Sequence, residues 1–366
     1  MRNFVVCKQM FQVMAKKSLM GLVVWLLVGA NGVAQTAVVA ADSSAAADNA
    51  VLYYLPKTEL VVLAEAECTV QQNGPFYKYA ERYLGVSDVV TAPTKTWRLK
   101  RVCVQAQPVR DEQKCYAVAV NKKTTAYYLQ TTDDGVLVAV NAPTPTPDLQ
   151  PQPTWPVAAE AADTVVTFDM AQLGEEALVA SSVPKMAELA AKQIYQIRES
   201  RAALLAGDNE TLPDGAALGV MLQRLDEAER ELVALFVGKS VTYCRSAVYS
   251  VVPDKPVERD VLFRMSRFEG IVAADNLIGE PVYLSVTAPK QPTRRRAVGA
   301  EAPCGIVYNV PTAAVVELSD CLSVLAHAVV PMPQLGGVDC LPAMLFDGNA
   351  TCVTLTEYGA LKSISR

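Results

Sequence analysis

The pattern of apolar and polar positions divides the chain into strand-like flanks around a helical middle. Between Ser182 and Val237 apolar residues recur at spacings of three and four. They are Ala187, Ala190, Ile194, Ile197 and Leu204, then Met221, Leu225, Ala228, Leu232 and Leu235. This period fits the α-helical turn and gives each helix one buried stripe. It predicts helices over 184–206 and 216–237, folded back as an antiparallel hairpin through the polar connector 207–215. Ser182 and Asp214 stand where caps are needed, and Gly207 suits the left-handed position past the first helix. Arg201 interrupts the first stripe and Glu229 lies one residue beyond Ala228. Both are expected to face a lobe or solvent, outside the seam.

The flanks read as short strands rich in branched and aromatic residues. Before the helices these are 52–55, 60–66, 96–104, 115–120, 126–130 and 136–140, with Pro56 breaking the first pair. Gly74-Pro75 opens a short helix over 75–84 that Gly85 ends, with Tyr79, Tyr83 and Leu84 facing the sheet. After the helices come 241–252, 261–268, 281–287, 306–310 and 315–318, then a final pair around Glu357-Tyr358-Gly359. The expected class is α+β: two β-rich lobes, 51–142 and 238–366, separated by the helical region 157–237. A Pro-rich stretch, 143–156, reads as a semi-rigid spacer.

The lobes begin and end alike. Leu52-Tyr53-Tyr54-Leu55-Pro56 aligns without gaps on Val307-Tyr308-Asn309-Val310-Pro311. Thr132-Asp133-Asp134-Gly135-Val136-Leu137 aligns on Thr356-Glu357-Tyr358-Gly359-Ala360-Leu361. The two lobes read as distantly related units.

Composition then narrows the setting. With 51% hydrophobic and 19% charged residues the chain suits a folded protein, and 366 residues suffice for a sizeable core. A net charge of -5 argues against nucleic acid, which needs a concentrated basic face. The basic run Arg294-Arg295-Arg296 reads as a solvated loop. Residues 1–34 read as an export signal: Lys16 and Lys17 precede the apolar run Leu19 to Val28, then Gly32-Val33-Ala34. Cleavage is expected after Ala34, with Ala40 or Ala41 second, and 35–50 as a disordered leader; Met14 is an alternative start. No later stretch is apolar enough for a transmembrane helix, so the expected location is the periplasm or cell envelope.

Nine cysteines, less Cys7 in the signal, leave an even set in an exported chain. A hairpin turning at Pro108-Val109 would set Cys103 opposite Cys115, and one at Asp347-Gly348-Asn349 would set Cys340 opposite Cys352. Buried free thiols are an equally weighted reading.

Catalytic signatures do not emerge, and no catalytic, cofactor or metal residue is assigned. The sole histidine, His327, lies in an apolar run and reads as structural; there is no Gly-x-Ser-x-Gly elbow, P-loop or Cys-x-x-Cys. Asp208, Asn209, Glu210 and Asp214 lack calcium-loop spacing and read as turn and cap residues. Tyr53, Tyr54, Tyr127, Tyr128 and Tyr308 could line a sugar-binding face, but alternation should split them between core and surface.

Several stretches together resemble one family: Tyr53-Tyr54-Leu55-Pro56-Lys57-Thr58, Gly74-Pro75-Phe76, Tyr83-Leu84-Gly85, Leu235-Phe236-Val237-Gly238 and Gly279-Glu280-Pro281-Val282-Tyr283-Leu284. The chain resembles domain-of-unknown-function family 4831, a group of exported bacterial proteins, from Val51 to the C-terminus. The resemblance implies a shared fold and assigns no activity, since the family has none assigned. The leading expectation is a non-enzymatic interaction, scaffold or ligand-binding module with an envelope protein or glycan as partner. The alternatives are a carboxylate-dependent hydrolase of saccharide or peptide, and an assembly factor for surface proteins.

Overall fold

The computed structural model describes residues 38–40, 50–119, 128–142, 166–206, 215–289, 304–346 and 351–365. The signal and leader, the Pro-rich spacer, the hairpin connector, Arg294–Arg296 and the Asp347-Gly348-Asn349 turn fall outside these, apart from Val38–Ala40, Ala50 and Gly215 at their margins.

The fold is α+β, and its axis is a long antiparallel pair, β2 (Ala50–Gln72) and β3 (Thr94–Ala119). The short runs expected around Pro56 and Pro108 are therefore merged into two continuous strands. Pro56 survives because it sits beside a bulge, where a ladder bond is lost anyway. Between Tyr54 and Pro56 the single residue Leu55 stands opposite four, Asp111 to Lys114. The bulge also reverses the alternation. Tyr53 and Leu55 point into one core, whereas Leu60, Val62, Ala64, Ala66 and Cys68 point into others.

Three sheets result. The first has the order β1-β3-β2-β6, adding β1 (Val38–Ala40) and β6 (Lys239–Val251). The second has the order β11-β10-β9-β7-β8, from β7 (Val257–Ser266), β8 (Gly270–Val272), β9 (Glu280–Thr287), β10 (Cys304–Ser319) and β11 (Val324–Pro342). The third has the order β13-β12-β5-β4, from β4 (Leu129–Thr131), β5 (Leu137–Val140), β12 (Cys352–Leu355) and β13 (Leu361–Ser365).

The first two sheets pack as a sandwich over Leu60, Val62, Phe263, Leu284, Val316 and Leu318. Burying each such side chain stabilises by about 1.5–3 kcal/mol. The third sheet closes one end over Tyr53, Leu55, Leu137, Ile306 and Val353. Strands from before and after the helices are thus interleaved: β6 pairs with β2, and β12 with β5. The described residues do not divide into two separate lobes. The expectation failed because strand pairing here is non-local and leaves no trace in sequence order.

The opposite end is helical. α3 (Val183–Ala206) and α4 (Gly215–Val237) run antiparallel, since Arg198 pairs with Glu229 and Arg201 with Asp226. Ala187, Ala190, Ile194, Leu232 and Leu235 are buried as expected, while Met221 is exposed toward the far end of the pair. Glu229 overturns its expected placement. It lies between the helices with its side chain 13% exposed, holding Arg198 at 2.6 Å and Arg201 at 2.5 Å. Two guanidinium partners make up for the water it loses.

Two short helices support the pair: α1 (Ala80–Leu84), ended by left-handed Gly85, and α2 (Glu175–Leu178). Tyr79, Tyr83 and Leu84 pack against this helical core rather than against a sheet. The β2–β3 connection docks on the last turn of α4, where Phe76 and Val90 donate to the carbonyls of Leu235 and Val237. Helix ends leave such carbonyls unsatisfied, so the contact ties the helices to the sandwich.

The two matched segments come together in space. Tyr54 donates its backbone N–H to Gly135, and Asn309 donates to Gly359, at 3.0 and 2.9 Å. Both glycines are left-handed, at φ 77° and 74°, in turns that the preceding threonines, Thr132 and Thr356, close alike. β10 also repeats the bulge: Pro311 alone stands opposite Pro333 to Gly336. That bulge is displaced by one aligned position, and the displacement turns the opposite face inward. Tyr53 and Leu55 are buried while Tyr308 is half-buried and Val310 exposed.

Candidate interaction site

β11, unlike the other long strands, was not anticipated, because Pro331, Pro333, Gly336 and Gly337 mimic a loop. Its presence makes the sheet edges countable, and sheet edges are where backbone donors and acceptors stay unpaired. Most edges here are short or blunted. β8 and β4 have three residues each, and β13 has five. β11 carries its bulge and prolines. β3 pairs with β1 only at Tyr116–Val118; the rest of its outer side is broken by the Trp97 N–H bond to Arg267, by the extra residue Lys100, by Pro108 and by the four-residue bulge.

β6 is the exception. Its 13 residues pair with β2 from Leu60 to Gln72 without a register shift, and they contain neither Pro nor Gly. Among the described residues no strand pairs with its other side. The direction of its backbone groups follows from β3. Ala106 turns its carbonyl away from β2 to accept the Tyr358 hydroxyl at 3.3 Å. Leu60, opposite Ala106, therefore directs its backbone groups toward Val251 on β6. Alternation leaves Thr242, Cys244, Ser246, Val248 and Ser250 with N–H and C=O facing outward.

The side chains of that row are small and uncharged, and Val248 is 52% exposed. The basic residues on β6 are held aside. Lys239 binds Glu231 at 2.6 Å, and Arg245 lies across Ala66 with its guanidinium 5.2 Å from the Trp97 ring. The face beside the row is charged but internally paired. A second bulge makes Lys100 the extra residue opposite Glu65 and Ala66, so that Lys100 and Arg101 both reach Glu65, at 2.9 and 3.0 Å. The Lys100 contact holds the Glu65 carboxyl below its usual range, while Lys100 also donates to the Cys244 sulfur at 3.3 Å. Glu67 is held by Arg98, and Glu59 by Gln107 and Ser250.

A separate cluster of titratable groups lies at the first bulge. The Arg110 guanidinium stands 4.5 Å over the Tyr54 ring, and Asp111, 5% exposed, accepts the Gln113 N–H at 3.1 Å. Burial lowers the Lys114 amine and raises the Tyr116 phenol. A hydrogen bond to Cys115 is the main reason the Tyr54 hydroxyl is raised. The Asp111 bond shapes the loop, as short Asx turns do.

The cysteine expectations are corrected at three positions. Cys103 and Cys115 are free thiols, and Cys352 forms no disulfide. β3 runs through Pro108 instead of turning, so Cys103 and Cys115 are twelve residues apart on one strand, far beyond disulfide reach. Cys340 is disulfide-bonded, but not to Cys352, whose thiol donates to the Asn141 carbonyl at 2.9 Å. His327 is exposed on β11 opposite Glu317, not buried. Asp133-Asp134 forms the expected turn. The tyrosines split as anticipated: Tyr53 is buried, Tyr54 and Tyr308 half-buried, Tyr128 exposed, and Tyr127 lies outside the described residues.

The family described as Domain of unknown function (DUF4831) matches residues 49–362. The chain belongs to this family. The matched span takes in every element from β2 to the start of β13, β6 included, so the open edge lies within the DUF4831 region. No curated protein and no solved structure matches the chain. No helix among the described residues is long and apolar enough to cross a membrane.

Proposed function

We propose that this DUF4831 protein is an exported, non-enzymatic interaction module of the cell envelope that binds an extended strand along β6. The observation that carries the reading is the regular, uncharged outer row from Thr242 to Ser250, with which no described strand pairs. Added strands gain affinity from main-chain hydrogen bonds, each worth about 0.5–1.5 kcal/mol net. Within the export reading, β1 favours the first cleavage site: cleavage after Ala34 would leave Val38–Ala40 paired to β3, whereas cleavage after Ala40 or Ala41 would remove that strand. The carboxylate-hydrolase alternative draws no support from Glu59 and Glu65, whose oxygens are each engaged by neighbours, nor from Glu67, whose Oε2 is held by Arg98. The assembly-factor alternative rests on the same edge and differs only in what occupies it.

A photoreactive benzoylphenylalanine at Val248, irradiated in the native envelope, tests the reading. A discrete covalent adduct is expected, and its loss when Thr242→Pro blocks the edge. Irradiation that yields no adduct rejects it.

A further inference from the structure

Resting on the strand-addition reading, we infer that the occupant of the β6 edge is the β6 of a second copy, paired antiparallel about a two-fold axis at Ala247. Self-pairing needs an edge compatible with its own reverse, and the register decides whether this one is. Centring on Arg245 would set two guanidinium-bearing residues directly opposite, which is destabilising. Centring on Ala247 removes that clash. Arg245 then stands opposite Tyr249 of the second copy, and Tyr243 opposite Val251. On the outer face Cys244 meets Ser250 and Ser246 meets Val248.

The backbone agrees with this register. Ser246, Val248, Cys244 and Ser250 are the residues whose N–H and C=O face out, so these pairs exchange both hydrogen bonds. Ala247 spends its own backbone bonds on β2, and therefore forms the non-bonded pair on the axis. Val248, the large apolar side chain of β6 left exposed, becomes covered. Arg245, drawn back over Ala66 toward Trp97, does not project past the edge as a guard. The two first sheets would become one continuous sheet.

Cys244 is a free thiol, and this makes the register directly testable. Hydrogen-bonded antiparallel partners lie about 5.5 Å apart at Cα, which suits a disulfide. Ser250→Cys is therefore expected to give an oxidised covalent dimer through Cys244, abolished by adding Cys244→Ser. Val248→Cys reports the competing register centred on Ser246 and is expected to give none. Sedimentation of the otherwise native chain over a dilution series should show a reversible dimer. Val248→Pro removes an outward N–H but no bond to β2, and should weaken that dimer about tenfold or more. Val248→Lys serves as a second variant should the proline fail to fold. A monomer throughout, with no Ser250→Cys dimer, overturns the inference. A Val248→Cys dimer in place of the Ser250→Cys dimer also overturns it. If the photoreactive Val248 adduct has the mass of a different protein, the second copy is wrong while strand addition stands.

Discussion

The β2–β3 and β10–β11 hairpins share one backbone device and use it differently. Each has four residues bulging opposite one, and each docks on a left-handed glycine turn. In β11 the bulge is a lock. Gln334 accepts the Thr58 N–H at 3.0 Å and donates to the Thr58 carbonyl at 2.7 Å, and the Thr58 hydroxyl bonds to Pro331 at 2.6 Å. In β3 the bulge is a polar loop whose Glu112 side chain is 80% exposed. The same contrast holds at the docking residue. Asn309 is fully buried and donates to Pro56 and Tyr358, whereas Tyr54 is half-buried beneath Arg110. A repeated backbone shape therefore does not imply repeated work: the C-terminal copy fastens the molecule together, and the N-terminal copy is left free to carry charge.

The largest expected effect is at Gly336. An added Cβ would meet the Val310 carbonyl oxygen at 2.1 Å, against backbone that cannot swing away. Gly336→Ala should cost about 3 kcal/mol or more in denaturant unfolding, while Gly135→Ala, facing the Tyr54 ring at 3.3 Å with φ 77°, should cost about 1–2 kcal/mol. Equal costs would erase the contrast between lock and loop. Next comes Asn309→Ala, which strands the buried Pro56 carbonyl and the part-buried Tyr358 carbonyl and should cost about 2–4 kcal/mol, against about 1 kcal/mol for Tyr54→Ala. The bulges themselves are compared by Gln334→Ala, at about 1–3 kcal/mol, and Glu112→Ala, within about 0.5 kcal/mol. A similar loss at both would mean that the first bulge is equally structural.

The smallest effect is alkaline. Burial pushes the Tyr358 phenol from 10.0 up to about 12. A raised folded pKa favours the neutral form, so this contribution is complete below pH 10 and is lost as pH climbs toward about 12. Tyr358→Phe should flatten the fall in unfolding midpoint across that window. An unchanged slope would remove Tyr358 from the account.

Legibility followed locality. Helical periodicity over α3 and α4 and the Thr-to-Gly turns are short-range signals, and both were readable. The ordered matches around Tyr54 and Asn309 marked two related segments but neither their docking on the glycine turns nor their opposite faces, because a one-residue displacement of a bulge carries no sequence mark. Pro56 read as a breaker and Pro108 as a turn, but Pro56, like Pro311, lies at a bulge, and Pro108 lies on the side of β3 turned from β2, where a missing N–H costs little. Ala106 fixes that direction, two residues away. The Glu229 bridge was missed because a stripe argument assigns charges outward and cannot see two arginines arriving from the neighbouring helix. The open edge of β6 was invisible for a simpler reason: an edge is defined by what does not pair.

The interleaving of early and late strands also sets a timetable. As the chain emerges, β2 and β3 are complete by residue 119, yet β2 keeps one side bare until residues 239–251 arrive. The third sheet waits longer still, since β5 has no neighbour in β12 until residue 352. Contacts so distant in sequence slow folding and prolong exposure of unpaired strand. The nascent protein thus carries a sticky flank for most of its synthesis, and the arrival of β6 passes that flank one strand outward.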